Sequence, residues 1–339
     1  MEMLTPRFGR YLAAMLGCTA LLGAPAAHAE QVVVYSARIE QLIKPMFDVF
    51  TKDTGIAVKF VTDNEGALLA RLKAEGRNTP ADMLITVDAG NLWEAARAGL
   101  LQPVESKILD ANIPTHLRDP QKQWFGLSVR ARTMVYNTQK VKPGELSSYE
   151  DLAEPKWKGR LCLRSSKKVY NQSLVAMMIA EHGEAKAEQI VKGWVANLAT
   201  DPLSDDTRAM EFVAAGKCDV TLVNSYYYGR LLAKNPALPL AIFWPNQAGN
   251  GVHVNVSGAG ITKYAKNEAA AIKLLEFLSM EKAQNLYAEV NMEYPANPRI
   301  KPDEVVAAWG SFKQNPMNVA TAGELQAAAV KLMDRAGYR

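Results

Sequence analysis

The sequence predicts an α/β protein of two lobes joined by a hinge, with an export signal ahead of the fold. Apolar runs of strand length alternate with amphipathic helical stretches, and two such series follow one another. Long β-like runs near residues 127–137 and 253–261 lie where one series gives way to the next, as strands crossing between lobes would. The 339 residues are 48% hydrophobic and 22% charged, which is enough apolar material for one large or two medium cores. Three Cys are too few for a disulfide-built scaffold. A net charge of +4 without a Lys/Arg block argues against a nucleic-acid partner.

The elements follow in order. Arg7 and Arg10, the apolar run Tyr11 to Leu22 and the small-x-small Ala27-His28-Ala29 read as a signal peptide over 1–29, cleaved after Ala29. The alternative, Cys18 as a lipidated cysteine, is poorly matched by Met15-Leu16-Gly17-Cys18. The fold then opens with strand Gln31–Tyr35 and a helix from about Glu40 carrying Ile43, Met46, Phe47 and Phe50 on one face. Strand Val58–Val61, helix Ala67–Glu75 stopped by Gly76, strand Met83–Thr86 and helix Asn91–Ala98 stopped by Gly99 continue the alternation. That order predicts a mostly parallel sheet with helices on both faces. After the run to Asn137, Pro143–Trp157 is turn-rich.

The second series is strand Leu161–Leu163, helices Gln172–His182, Ala187–Leu198 and Thr207–Ala215, strand Asp219–Asn224 and helix Tyr227–Ala233. One long amphipathic helix is expected over Ala269–Val290 and a last one over Ala322–Ala336. The predicted division is lobe 1 from 30–130 plus about 255–300, lobe 2 from 131–254, and a C-terminal helical segment, 301–339, packing on the lobes. Exported two-lobed α/β proteins commonly close on a ligand by a hinge. The ligand then sits outside the carboxyl ends of the strands, in the crevice between lobes.

Candidate site residues stand at those strand ends. Cys162 precedes Tyr170 by eight residues, and Cys218 precedes Tyr226 by eight. If the two strands are parallel neighbours in register, the cysteines meet at one edge as a disulfide and the tyrosines at the other. An exported chain favours that disulfide. Tyr226-Tyr227-Tyr228 brings further rings to the same place. Converging phenols are either ordinary packing or ligands for a hard, highly charged cation; phenol ionises near pH 10, so only such an ion displaces its proton. His116, His182 and His253 are isolated, and no His/Cys spacing resembles a zinc site.

Four segments recur together in order: Val-Val-Val-Tyr35-Ser-Ala-Arg38; Pro80-Ala-Asp82 through Asp88-Ala-Gly90; Gly126-Leu-Ser-Val-Arg130-Ala-Arg132; and Asn224-Ser-Tyr226-Tyr227. Over nearly the whole mature chain they resemble the bacterial periplasmic ferric-iron-binding proteins, receptors of iron(III) ABC importers, in their three-tyrosine branch. The resemblance implies the two-lobed periplasmic solute-binding protein fold. It also implies Fe(III) as cargo held by Tyr170, Tyr226 and Tyr227, and a synergistic anion such as carbonate held by Arg130, with Ser166 in the anion loop. Three phenolates would neutralise the 3+ charge. An inner-membrane ABC permease is the implied partner, ferric iron or a ferric chelate the source, and the protein a monomer in the periplasm.

The departures lie in lobe 1. Ile39 and Glu40 stand where many relatives have His or His-Tyr, and Val87 stands near a Glu of another branch. Glu40 is then either a carboxylate ligand or a first-turn helix glutamate favoured by the dipole. Arg230 is either a donor to a tyrosinate or anion, or a helix-surface arginine. Catalysis is not expected: no nucleophile–base–acid constellation and no nucleotide-binding signature is present. Two other classes share the fold, a receptor for a small organic or anionic solute and a secreted transferase or redox enzyme.

Overall fold

The computed structural model describes residues 1, 2 and 30–339; the expected signal peptide, apart from its first two residues, lies outside them. Strand β1 (Gln31–Ser36) leads into α1 (Glu40–Thr54), which turns its Ile43, Met46, Phe47 and Phe50 inward and ends at Gly55 in the left-handed conformation. Burial of each such side chain contributes about 1.5–3 kcal/mol. Strand β2 (Ala57–Thr62), α2 (Glu65–Glu75), β3 (Met83–Thr86), α3 (Ala89–Arg97) and α4 (Lys107–Asn112) complete the first series.

Strand β4 (Phe125–Asn137) is buried along its whole length and belongs to both lobes. Its first half pairs with β8, its second half with β6 and β7. The second lobe adds β5 (Leu161–Cys162), α5 (Val169–His182), α6 (Glu184–Ala196), α7 (Asp206–Ala214), β6 (Val220–Asn224), α8 (Ser225–Lys234) and β7 (Leu240–Phe243). The chain then returns as β8 (Val254–Ile261), followed by α9 (Glu268–Leu278), α10 (Glu281–Asn291), β9 (Tyr294–Pro295), α11 (Glu304–Ala307), α12 (Thr321–Glu324) and α13 (Gln326–Arg335).

The strand order is β2-β1-β3-β8-β4-β6-β5, with β7 and β9 also on β4. Among the strands of the described residues, the parallel pairs are β1–β2, β1–β3 and β5–β6. The sheet is therefore mixed rather than mostly parallel, because β8 and β4 run back through its centre and every pair they make is antiparallel. Among the described residues only β4 crosses between lobes as a strand; β8 pairs there with β3 and β4 alone, so the second crossing is the connection ahead of it.

Hydrophobic cores divide along β4. Ala131 belongs to a core with Val32, Phe47, Leu84 and Leu274, whereas Met134 belongs to another with Trp157, Leu174, Met178 and Trp194. Leu332 and Met333 of α13 complete that second core, and α12 packs on both α3 and α5.

Two expected helices are each broken into two. The stretch 269–290 is two helices, broken where the Ser279 hydroxyl donates to Glu276 O at 2.7 Å and accepts from Asn112 Nδ2 at 2.9 Å, with Met280 extended. The last helix is likewise interrupted, at Leu325 between α12 and α13.

Candidate metal centre

A disulfide joins Cys162 to Cys218, with Cα atoms 5.8 Å apart. Strand β5, which ends at Cys162, and β6, which begins two residues after Cys218, are parallel neighbours, yet Cys162 stands opposite Thr221, three positions beyond Cys218. The simple in-register picture therefore does not hold. The tyrosines still converge, because β5 stops at Cys162 and loops to α5, whereas β6 runs straight on to Asn224 and α8.

Both helices begin earlier than their periodicity suggests, at Val169 and Ser225, which places Tyr170, Tyr226 and Tyr227 in first turns. A helix N-terminus favours negative charge. Neither start has a side-chain cap. Asn224 instead spends its side chain on the site: Oδ1 accepts from Arg132 Nη1 at 3.2 Å, and Nδ2 donates to Tyr226 Oη at 3.3 Å.

Tyr226 Oη donates to Tyr170 Oη at 3.2 Å, and the Tyr226 and Tyr227 rings lie 4.4 Å apart. Tyr226 and Tyr170 are buried, Tyr227 is half-buried, and Tyr228 turns into the core against Trp309. Cations surround the phenols. Lys168, Arg130 and Arg164 stand 4.8, 5.1 and 5.6 Å from the Tyr170 ring centre, and Arg230 stands 4.8 Å from that of Tyr226.

Burial pushes Tyr170 up to about 12, against the pull of Arg130, and pushes Tyr226 well above its ordinary value. Both phenols are thus neutral until something displaces their protons. Burial works to lower the Arg130 pKa, but Tyr170, Asp88 and Tyr226 outweigh it and hold the guanidinium above its ordinary value.

The arginines are fixed from behind. Arg130 donates to Asp88 Oδ2 at 3.3 Å and Ser257 Oγ at 3.1 Å, while its buried Nε has no hydrogen-bond partner. Asp88, from lobe 1, also accepts from Ser173 Oγ of α5 at 3.3 Å, so one carboxylate ties the two lobes together. Arg132 and Arg164 share the buried Asp206, at 2.6 and 3.5 Å. On the lobe 1 side, Arg38 donates to Glu293 Oε2 at 2.5 Å and Ser257 Oγ at 2.7 Å.

These groups line a cleft of about 530 Å³ that includes Arg130, Lys168, Tyr170, Tyr226, Tyr227 and Arg230, faced by Ile39, Asp63, Glu65 and Val87. Glu40 and Ser166 do not line it. Glu40 is exposed on the first turn of α1, and the Ser166 amide donates to Arg339 O at 3.0 Å. Lys168, at the end of the same loop, faces the cleft instead. The sequence reading missed Arg164, Asp206 and Glu293. Arg164 stands two residues after Cys162, inside the segment that carries Tyr170, which was the available signal.

Mixed-sheet lobes around a cleft at the strand ends define a solute receptor. The chain belongs to the bacterial extracellular solute-binding protein family, whose profile matches residues 78–311. It is 44% identical to the iron uptake protein A1 of Synechocystis sp. over 91% of this chain and 88% of that protein. It is 27% identical to the major ferric iron-binding protein of Neisseria meningitidis serogroup B, over 91% and 93%. Its fold is similar to the Trichodesmium IdiA (FutA) protein solved with iron and citrate ligands (TM-score 0.88, 46% identity, 91% of this chain and all of that one). It is also similar to ferric iron-binding protein A of Mannheimia haemolytica in an open conformation (TM-score 0.86, 42% identity, 91% and 99%).

Proposed function

We propose that this protein is a periplasmic receptor that captures ferric iron in its interlobe cleft and hands it to the permease of an ABC importer. The reading rests on one observation above all: three tyrosines on the first turns of two helices, within a cleft ringed by cations. Tyr170, Tyr226 and Tyr227 bind the ion as phenolates. Three phenolates match a 3+ charge, and hard anionic oxygen suits a hard cation. The cationic surroundings and the two helix N-termini then stabilise the phenolates that neutral phenols become on binding.

The remaining positions on the ion go to a small anion such as carbonate. Arg130, through its unpartnered Nε, and Lys168 and Arg230, which have no carboxylate partner among the described residues, are the groups that receive it. Ser166 lies too far into the loop, bound to Arg339, to share that role. Glu40 serves α1 as a first-turn glutamate. The protein acts as a binding protein without turnover, as a monomer matured by cleavage after Ala29. Its lobes are 30–130 with about 255–300, and 131–254, with the C-terminal segment bridging them.

Equilibrium dialysis of the metal-free protein against ferric citrate tests this. One ferric ion per chain, resistant to competing Zn²⁺, is expected. Displacement of the bound iron by excess Zn²⁺, or no retained iron, overturns the reading.

A further inference from the structure

Away from the cleft, lobe 2 brings three metal-ligating side chains to one point. Glu181 and His182 end α5, and Glu150 opens a short turn of helix at 150–153. One donor atom from each lies within 4.8 Å of the other two. His182 Nε2 stands 2.8 Å from Glu150 Oε1 and 3.8 Å from Glu181 Oε2.

The carboxylates divide their oxygens between support and the shared point. Glu181 Oε1 accepts from Asn250 Nδ2 at 3.1 Å and from Asn315 Nδ2 at 2.5 Å. Its Oε2 accepts no hydrogen bond among the described residues and faces His182. Asn246 Nδ2 donates to both Glu150 oxygens, at 3.0 and 3.3 Å. Amides that fix carboxylates from behind are the usual outer support of a metal site.

Burial makes the arrangement informative. The Glu181 side chain is 5% exposed, yet the only basic group within 4.0 Å of it among the described residues is His182, which is charged only if protonated. A carboxylate so enclosed needs a compensating cation. His182, at 30% side-chain exposure, leaves a way in from solvent.

We propose that Glu150, Glu181 and His182 form a second cation site, distinct from the tyrosine cleft, for a borderline divalent ion of the Zn²⁺ type. Two carboxylates balance a 2+ charge, and an imidazole with two oxygens suits Zn²⁺ better than the harder Mg²⁺ or Ca²⁺. Water fills the open positions. Asn246 and Asn250 lie on the connection that carries the chain from lobe 2 back to β8, so an ion here fastens the carboxylates that hold that connection.

Calorimetric titration of ZnCl₂ at neutral pH tests the site in the full chain, in His182→Gln, and in Tyr170→Phe/Tyr227→Phe, which lacks two cleft phenols. One equivalent should bind, unchanged in the tyrosine variant. In His182→Gln the Kd should rise on the order of 100-fold, at least the cost of losing an outer support. Nitrogen-15 NMR of the His182 ring in the unsubstituted protein should show Nε2 losing its proton and shifting on Zn²⁺ addition. Absence of binding at millimolar Zn²⁺, equal affinity in His182→Gln, loss of binding in the tyrosine variant, or an unperturbed Nε2 would each overturn the proposal. Failure of the cleft reading would leave these outcomes untouched.

Discussion

The phenolic oxygens of Tyr226 and Tyr170 meet at 3.2 Å across 56 positions of sequence, the separation that also divides Cys162 from Cys218. Disulfide and phenol pair therefore bracket the same two chain segments, one at each end. Tyr226 is the more enclosed of the pair and the one held by Asn224. Tyr226→Phe should weaken ferric binding by at least about 100-fold, more than the loss of an outer support costs. Competition against citrate measures it; a change below about threefold would remove Tyr226 from the ligand set.

Iron binding should be proton-linked. Tyr170 and Tyr226 are protonated in the empty cleft and must ionise to bind, so apparent affinity rises with pH and falls in acid. Ferric affinity followed across neutral and mildly acid pH should therefore show net proton release, up to three per ion. A pH-independent affinity would contradict phenolate ligation.

The same groups set the alkaline stability of the iron-free protein. The folded Tyr170 pKa of about 12 exceeds the unfolded value of 10.0. Its stabilising contribution is complete below pH 10 and is lost as pH climbs through about 12. Urea midpoints should accordingly fall over that window in the wild type and fall less in Tyr170→Phe.

Arg130→Gln should act in two ways. It removes the cation that draws the Tyr170 pKa down, so the pH midpoint of iron loading moves upward. It also leaves Asp88 buried without its guanidinium, a loss of roughly 3–5 kcal/mol in chemical unfolding. An unshifted loading midpoint would show that Arg130 does not act on the tyrosines.

Gly229 follows the paired tyrosines on α8. A Cβ there would stand 2.5 Å from Trp309 Cζ2 and 2.8 Å from Met292 Sδ. Gly229→Ala should cost about 1–3 kcal/mol and reduce iron affinity by tilting α8. Thermal unfolding and the same citrate competition check both effects.

Much of this was legible in the sequence, for physical reasons. Strand β4 could be read as a crossing strand because its β-like run, 13 residues in the structure, is longer than an ordinary strand. The tyrosines were readable because strand-to-helix junctions place side chains in clefts. Strand direction was not, since periodicity carries no sign; hence β8 and β4 emerged antiparallel. The break at Ser279 was hidden because apolar spacing continues through it while a hydroxyl ends the helix locally. Asp88 and Ser173 meet only through tertiary structure, 85 positions apart, and no local pattern marks them. Lys168 rather than Ser166 faces the cleft because the loop is fixed by Arg339 from outside it.

The most direct test of the account is the visible spectrum of the metal-free protein during titration with ferric citrate, beside Tyr226→Phe and Tyr227→Phe. A phenolate-to-iron charge-transfer band that saturates at one equivalent, and is lost or strongly shifted in both variants, is the predicted result. A protein that binds ferric iron with no such band, or whose band is unchanged in both variants, would contradict tyrosinate capture in this cleft.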